Sequence, residues 1–393
     1  MSRDSRRVVI AADKFKGSLS AAQVADALAR GIGRVAPDTE IRQLPVADGG
    51  EGTVEAFLAA GWRRVALRAP GPTGVLVDTA YAVSGRAAVI ELADVVGLAK
   101  LPEGHRDPLR TGTEGLGVVI AHALDHGARD LVVGLGGSAT TDGGAGMLRA
   151  LGLRVLDAAG ADLPRGGAAL VDADSIDHSG LHPALADARI TLASDVDNPL
   201  LGPTGAVRTY SPQKGAGPRE LAVLTAALEN WAALLQPRPS ATYADQPGAG
   251  AAGGAGFGAM AVLGARPRSG IDLVLDLIDF PARIADADLV ITGEGSLDAQ
   301  SLRGKAPLGV RSAAAAAGVP VTVVAGRILL GAEQLRAAGF SAAYALSELE
   351  ADPARSMTRA AELLELVGAR IGAALTSPSA TVALVDPSYT SEF

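Results

Sequence analysis

The sequence has 393 residues, of which 48% are apolar, 20% charged and only 3% aromatic, with a formal charge of −8 and no cysteine. A chain of that length is expected to fold into two or three α/β domains with cores of Ala, Val, Leu and Ile. The acidic balance, with no basic run longer than the pairs Arg6, Arg7 and Arg63, Arg64, excludes a nucleic-acid footprint, and the missing thiols exclude disulfides, thiolate zinc sites and a cysteine nucleophile.

In chain order, the apolar stretch at 8–12 is too short for a signal peptide and reads as a buried strand. It runs into the loop Asp13, Lys14, Phe15, Lys16, Gly17, Ser18. Ser20 and Gln23 have capping-box spacing, after which Val24, Leu28 and Ile32 share one helical face. A second strand at 40–46 ends in the loop DGGEGT, Asp48 to Thr53, before a helix that stops near Gly61. From about residue 64 the texture changes: strands are expected at 75–83 and 87–92 and a helix at 111–126.

Residues 131–135 form a short apolar run suited to a strand covered on both faces. They open into GGSATTDGG, where glycines permit close backbone approach and positive φ while hydroxyls and Asp142 supply polarity. Helical spacing resumes at Met147, Leu148 and Leu151 and ends at Gly152. Residues 158–187 read as peripheral loop and short helix. A strand at 190–193 delivers Ser194, Asp195, Val196, Asp197 and Asn198, the segment 209–215 carries Lys214, a helix follows at 219–235, and 237–250 reads as a long surface connection.

Residues 246–265 are uncharged but dominated by glycine and alanine, too weakly apolar to enter a bilayer. They read as loop plus packed helix, and a cytoplasmic protein without a membrane partner is expected. The last third brings strands at 288–292, 319–325 and 342–346, the first ending in GEGSLD, with a helix at 306–317. Two N-terminal and three C-terminal strands would complete a five-stranded parallel sheet around an inserted second α/β domain. The domains are then 1–65 with 270–393, and 66–269.

Five loops share one grammar of carboxylate with hydroxyl or lysine at a strand's end, four of them with glycine as well: DKFKGS, DGGEGT, GGSATTDGG, SDVDN and GEGSLD. Phosphoryl transfer needs this mixture, with amides and lysines for phosphate oxygens and carboxylates for Mg²⁺ and for the acceptor's proton. There is no P-loop sequence; Arg303, Gly304, Lys305, Ala306 comes nearest and lacks its first glycine and its hydroxyl. A nicotinamide-dependent dehydrogenase is the weaker alternative. Gly134, Gly136 and Gly137 imitate part of a dinucleotide fingerprint, but the acidic residue it needs could only be Asp157, in a loop. His122 and His126 have metal-compatible spacing without a third ligand and read as a solvated face.

DKFKGSLSA, LPVADGGEGT, GGSATTDGGAGM, DVDNPLLGPTGA with PQKGA, GAGAAGGAGFG, and GEGSLDAQS followed by GKAP occur in the order, and over nearly the span, of the type I glycerate kinase family, which the chain resembles. The resemblance implies an α/β fold with a flavodoxin-like or Rossmann-like parallel-sheet domain and an inserted second α/β domain. It also implies ATP-dependent phosphorylation of D-glycerate, at the 2-hydroxyl, with ATP and Mg²⁺ as cofactors and the protein as monomer or homodimer. Thr141, where the family usually has asparagine, and Ser296 with Leu297, in place of a basic-apolar pair, depart mildly from the pattern and bear on substrate contacts.

Lys16 is then the candidate for neutralising the transferring phosphate, and Asp48 and Asp195 for base or Mg²⁺ ligand. Glu294 and Asp298 would bind metal or order their loop. Asp142 would face ligand or cap the helix after it. Lys214 and Lys305 would hold a carboxylate or phosphates, in a binding set completed by Ser18, Gly49, Gly50, Glu51, Gly136, Gly137, Ser138, Thr140 and Gly293. A sensor that binds a sugar acid or nucleotide without turnover is the alternative of another class.

Overall fold

Short buried runs separated by amphipathic stretches fold into strands and covering helices, as seen in a computed structural model that describes residues 5–104, 106–236, 243–299 and 301–376. The described residues form thirteen strands: β1 (Arg7–Ala12), β2 (Glu40–Gln43), β3 (Arg63–Pro70), β4 (Leu76–Ser84), β5 (Ala87–Glu91), β6 (Asp130–Gly134), β7 (Arg154–Leu156), β8 (Ser175–Asp177), β9 (Arg189–Ala193), β10 (Arg266–Arg268), β11 (Leu289–Leu297), β12 (Val321–Ile328) and β13 (Ala342–Ala345). The chain divides into two compact units, one of residues 1–48, 55–60 and 271–393, the other of 49–54 and 61–270.

The first unit is built on a wholly parallel sheet in the order β13-β12-β11-β1-β2, the five strands anticipated from the sequence. After its first residue β1 is entirely buried, as a parallel strand covered on both faces must be. From β1 the chain turns to β2 on one side, whereas β11, β12 and β13 run to the other, so the winding reverses between β1 and β11. Loops leaving those two strands diverge there, and open α/β sheets bind ligands in that crevice.

Helix Ala21–Val35 starts at the predicted capping box: Gln23 N donates to Ser20 Oγ at 3.2 Å and Ser20 N to Gln23 Oε1 at 2.9 Å. Its face of Val24, Leu28 and Ile32 shares a core with Leu363, Leu364, Val367 and Ile371 of helix Ala360–Thr376. The two helices touch backbone to backbone. A Cβ on Gly31 would lie 2.1 Å from Glu365 O, and one on Gly368 2.4 Å from Leu28 O.

The second unit carries a mixed sheet in the order β10-β9-β6-β5-β4-β3, parallel from β10 to β5 and antiparallel from β5 to β3. Strand β3 was not visible in the sequence, although all eight of its residues pair with β4. It is an edge strand with Arg63, Arg64 and Arg68 exposed; Val65, Leu67 and Ala69 alternate toward the core, but only three residues carry that signal, between arginines and an exposed alanine. Residues 158–187 are not only loop and helix, because β8 lies among them and pairs with β7. The surface connection expected at 237–250 falls partly outside the described residues, and its described part does not stay at the surface: Ala244 and Ala249 are buried. Among the described residues no helix is long and apolar enough to cross a membrane. The segment after 377 lies outside them.

Two glycines of one helix make opposite predictions. Gly31→Ala should lower the thermal midpoint through a loss of about 1–3 kcal/mol, the usual scale of overpacking. Gly33→Ala, with nothing within 4 Å of the added Cβ, should raise it through a gain of up to about 1 kcal/mol from helix propensity. Equal midpoints in thermal unfolding of the two variants would refute the close-packed helix pair.

Candidate functional site

At the reversal point of the first sheet, β1 ends in Asp13 and β11 continues into Gly293, Glu294 and Gly295. Asp13 N donates to Gly293 O at 2.9 Å, and a Cβ on Gly293 would lie 2.0 Å from Val324 O, so only glycine lets β11 lie this close to β12; residues 293–297, expected as a loop, continue the strand because their backbone still pairs with β12. Gly295 lies against the backbone of Phe15 and Lys16. The loop after β1 and the end of β11 thus line one crevice, with Lys16 exposed at its surface.

Asp13 is 7% exposed. Its carboxylate accepts from Lys14 N at 2.7 Å and lies 3.6 Å from Lys14 Nζ. Burial, opposed by Lys14 and reinforced by the negative charges of Asp48 and Glu294, pushes its carboxyl up to about 7. Burial likewise raises Glu294, opposed by Ser301 and Lys305 and reinforced by Asp298 and Asp48, and its Oε1 is buried without a hydrogen-bond partner. Asp298 turns inward to its own loop, its carboxylate accepting from Ser301 N at 3.1 Å and its amide donating to Ser301 Oγ at 3.0 Å; of its two expected roles the geometry displays the ordering one. Ser18 Oγ donates to Met357 O at 2.7 Å, which fixes the first loop to the chain behind it.

In the second unit the glycine turn after β6 is braced from below. Asp142 is 1% exposed, and its carboxylate accepts from Thr113 N and Oγ1, both at 2.8 Å, from Gly146 N at 3.1 Å and from Gly144 N at 3.2 Å. Burial and the nearby Glu114 raise its pKa while these donors lower it. Asp142 therefore anchors the turn internally instead of facing a ligand. Lys214 departs from expectation in the same way, being 2% exposed and donating to Ser138 Oγ at 2.8 Å and Thr140 O at 2.6 Å.

The glycine-rich segment before helix end Leu263 explains itself here. A Cβ on Gly253 would meet Thr140 O at 2.0 Å and one on Gly258 would meet Gly143 O at 2.5 Å, so these residues back the turn with bare main chain.

The segment 49–54 also belongs to this unit. Gly49, with φ +86°, crosses Ala193 at the end of β9. A Cβ on Gly134 would lie 2.4 Å from Gly49 O, and one on Gly136 2.7 Å from Gly50 Cα. Glu91, at the end of β5 and 5% exposed, holds the loop by accepting from Gly52 N at 3.1 and 3.0 Å and from Val54 N at 3.2 Å. Glu51 itself is exposed. Asp195 is exposed too, and its Oδ1 accepts from Gly270 N at 2.9 Å.

Asp48, Glu294, Asp298, Lys16 and Lys305 thus fall in the first unit and Asp195, Ser138, Thr140, Asp142 and Lys214 in the second. Among the described residues no three His, Asp or Glu side chains converge as a ready metal cage. Sequence reasoning missed Asp13 and Glu91 as site residues. Each is a carboxylate at the end of an otherwise apolar strand, and that interruption was the signal that could have found them.

The glycerate kinase family model matches residues 8–376. The chain belongs to the glycerate kinase family. It is 43% identical over 372 residues to the glycerate kinase of Bacillus subtilis strain 168, covering 94% of this chain and 97% of that one. It is 45% identical over 326 residues to the glycerate 2-kinase of Escherichia coli strain K12, covering 82% and 85%. A solved Salmonella typhimurium LT2 chain described as a glycerate kinase 2 superposes with a TM-score of 0.81 at 42% identity, covering 95% of this chain and 98% of that one. Membership sets aside the dehydrogenase alternative and makes the shared glycine loops those of a kinase.

Asp13 gives this family member a pH signature. Its carboxyl is raised in the fold to about 7 from 3.8, so the native state keeps a proton that the unfolded chain releases. The destabilisation is absent below about pH 4, grows through the window between about 4 and 7 and is complete above it. In chelator, Asp13→Asn should gain stability relative to wild type from pH 4 to pH 8, by on the order of 4 kcal/mol at most. A pH-independent difference in urea unfolding would show that the carboxyl is not perturbed.

Proposed function

We propose that the chain transfers the γ-phosphoryl group of ATP to the 2-hydroxyl of D-glycerate, giving 2-phospho-D-glycerate and ADP. The observation that carries this reading is the crevice between the ends of β1 and β11, where Asp13, Asp48 and Glu294 act on one another beside Lys14, Lys16 and Lys305. It is supported by relatives named glycerate kinase and glycerate 2-kinase.

The residues present fit Mg²⁺. Glu294 Oε1 is a buried oxygen lacking a partner, amid carboxylates whose mutual repulsion a cation relieves. Mg²⁺ bound through substrate phosphates needs only one or two protein carboxylates, so Glu294 would hold it, and it would neutralise charge developing on the phosphoryl oxygens. Asp195 and Asp298, the other expected ligands, each already accept a bond from a backbone N–H. Lys16, exposed on its loop, is placed to meet phosphate oxygens. Asp48 receives the proton of the acceptor hydroxyl, and Glu91 fixes the loop that begins at the next residue. The donors of the glycine turn bind a second anionic group.

Purified protein with Mg-ATP should release ADP on addition of D-glycerate, and excess chelator should abolish the rate; undiminished turnover in chelator would remove Mg²⁺ from the scheme. Phosphorus NMR of the product should show the 2-phosphate, and a 3-phosphate signal alone would reverse the regiochemistry. Binding of D-glycerate or ATP without any ADP would favour a sensor.

Asp48→Asn should lower kcat by on the order of 10² or more with the thermal midpoint nearly unchanged. Asp195→Asn tests its original candidacy in the same assay: a near wild-type kcat would leave that residue as the cap of the Gly270 turn.

A further inference from the structure

Lys214 reaches the glycine turn from the short helical turn Pro212–Lys214, and it differs from the other candidate lysines in being shut away from solvent at 2% exposure. Burial pushes its ammonium down to about 7, opposed by the charge of Asp142. An ammonium has only donors to offer, so a hydroxyl that accepts from it keeps its own proton for another partner. Ser138 Oγ accepts from Lys214 Nζ at 2.8 Å, and among the described residues it donates to nothing.

The backbone around that hydroxyl is equally unengaged. The amides of Gly136, Gly137 and Ser138 make no hydrogen bond among the described residues, whereas the next amide, Ala139 N, is tied to Val96 O at 3.0 Å. Gly137 is exposed and has φ +74°. Thr140 Oγ1 is buried without a partner in the same turn. Three amides and a hydroxyl, with no acceptor turned to them, suit a phosphate or carboxylate oxygen.

We propose that Lys214 is a positioning residue: it holds the Ser138 hydroxyl and the Thr140 carbonyl so that Ser138 Oγ and the amides of Gly136 to Ser138 bind an anionic group of one substrate, which the lysine itself never touches. This rests on the kinase reading above for the identity of the substrates. It also explains why a lysine stands at a position with no solvent. Its charge is balanced by Asp142 and its donors fix two points of the turn, which a neutral side chain of similar length would leave loose.

Steady-state kinetics and amine labelling test it. Ser138→Ala should raise KM for one substrate about tenfold, the scale of one hydrogen bond to a charged group, with a much smaller change in kcat, and Ser138→Thr should restore it. A shift in KM for ATP identifies a phosphate oxygen and a shift in KM for D-glycerate a carboxylate. Lys214→Met should move the same KM, and the double variant should be no more than about twofold worse than the more impaired single variant, because both act on one hydrogen bond. With an acylating reagent and mass spectrometry, Lys214 should stay unmodified in the folded protein with or without substrates, whereas exposed Lys16 reacts.

Multiplying effects in the double variant, an unchanged KM in Ser138→Ala, or a Lys214 that labels in free protein and is protected by Mg-ATP or D-glycerate would each overturn the proposal. If Lys214→Met does not fold, the Ser138 variants and the labelling still decide. If wild-type protein releases no ADP, the kinase reading fails alone. Calorimetric Kd values of Mg-ATP and D-glycerate for wild type and Ser138→Ala then replace KM, and equal values for both ligands would overturn the positioning role.

Discussion

The second unit depends on a carboxylate taken out of water. Asp142 is surrounded by donors on the turn that contains it and on the segment that leads into helix Glu114–Asp125. An ionised carboxylate in such a place is tolerated only because its acceptor sites are met. Removing a single donor leaves a buried carboxylate oxygen unsatisfied, a loss of about 1–3 kcal/mol or more. Thr113 has the same double duty, since its hydroxyl gives to Asp142 and accepts from Met147 N at 2.8 Å. The turn therefore cannot shift one residue without unsatisfying several groups, and this rigidity keeps the amides of Gly136 to Ser138 in place without help from a ligand.

The first unit solves the opposite problem. Its crevice gathers like charges that no surrounding donors fully satisfy, and the strain appears as protons held too tightly by Asp13 and Glu294. An assembly of that kind is costly alone and becomes favourable with a cation or a positively charged group beside it. Binding sites are among the few places where a fold keeps such an arrangement. The two units thus differ in chemistry: donors held in place by their own turn in one, crowded carboxylates in the other.

Much of this was legible in the sequence where burial and periodicity coincide. The strands at 8–12, 131–135 and 190–193 were visible because parallel strands covered on both faces are continuous apolar runs, and the Ser20 capping box because its partners are only three residues apart. Strand β3 was invisible because an edge strand rich in exposed arginine carries no such pattern. The site divided along the same line. Glycine loops at strand ends announced a ligand, but the inward turn of Lys214 and Asp142 depends on the segments at 113, 138–146 and 214 meeting in space, which spacing along the chain does not encode. Glu91 acts through Gly52 and Val54, nearly forty positions away, for the same reason.

The composition follows from how the sites are made. Where a ligand is held by backbone N–H groups, side chains must be absent, and the neighbouring layers must also come close enough to brace bare main chain. Gly134 against Gly49, Gly253 against Thr140 and Gly258 against Gly143 are contacts between backbones at distances that a single methyl group would forbid. Each layer of glycine requires another behind it, so the requirement spreads from the turn into helix Ala251–Leu263, where Ala252, Gly253 and Gly254 leave helical geometry altogether. Where a ring does enter it too needs glycine, since a Cβ on Gly143 would lie 2.4 Å from Trp231 Cδ1, and Trp231 Nε1 donates to Gly143 O at 3.0 Å. The 49 glycines and the 3% of aromatic residues are consistent with one demand: a main chain brought close enough to touch both its ligand and its own support.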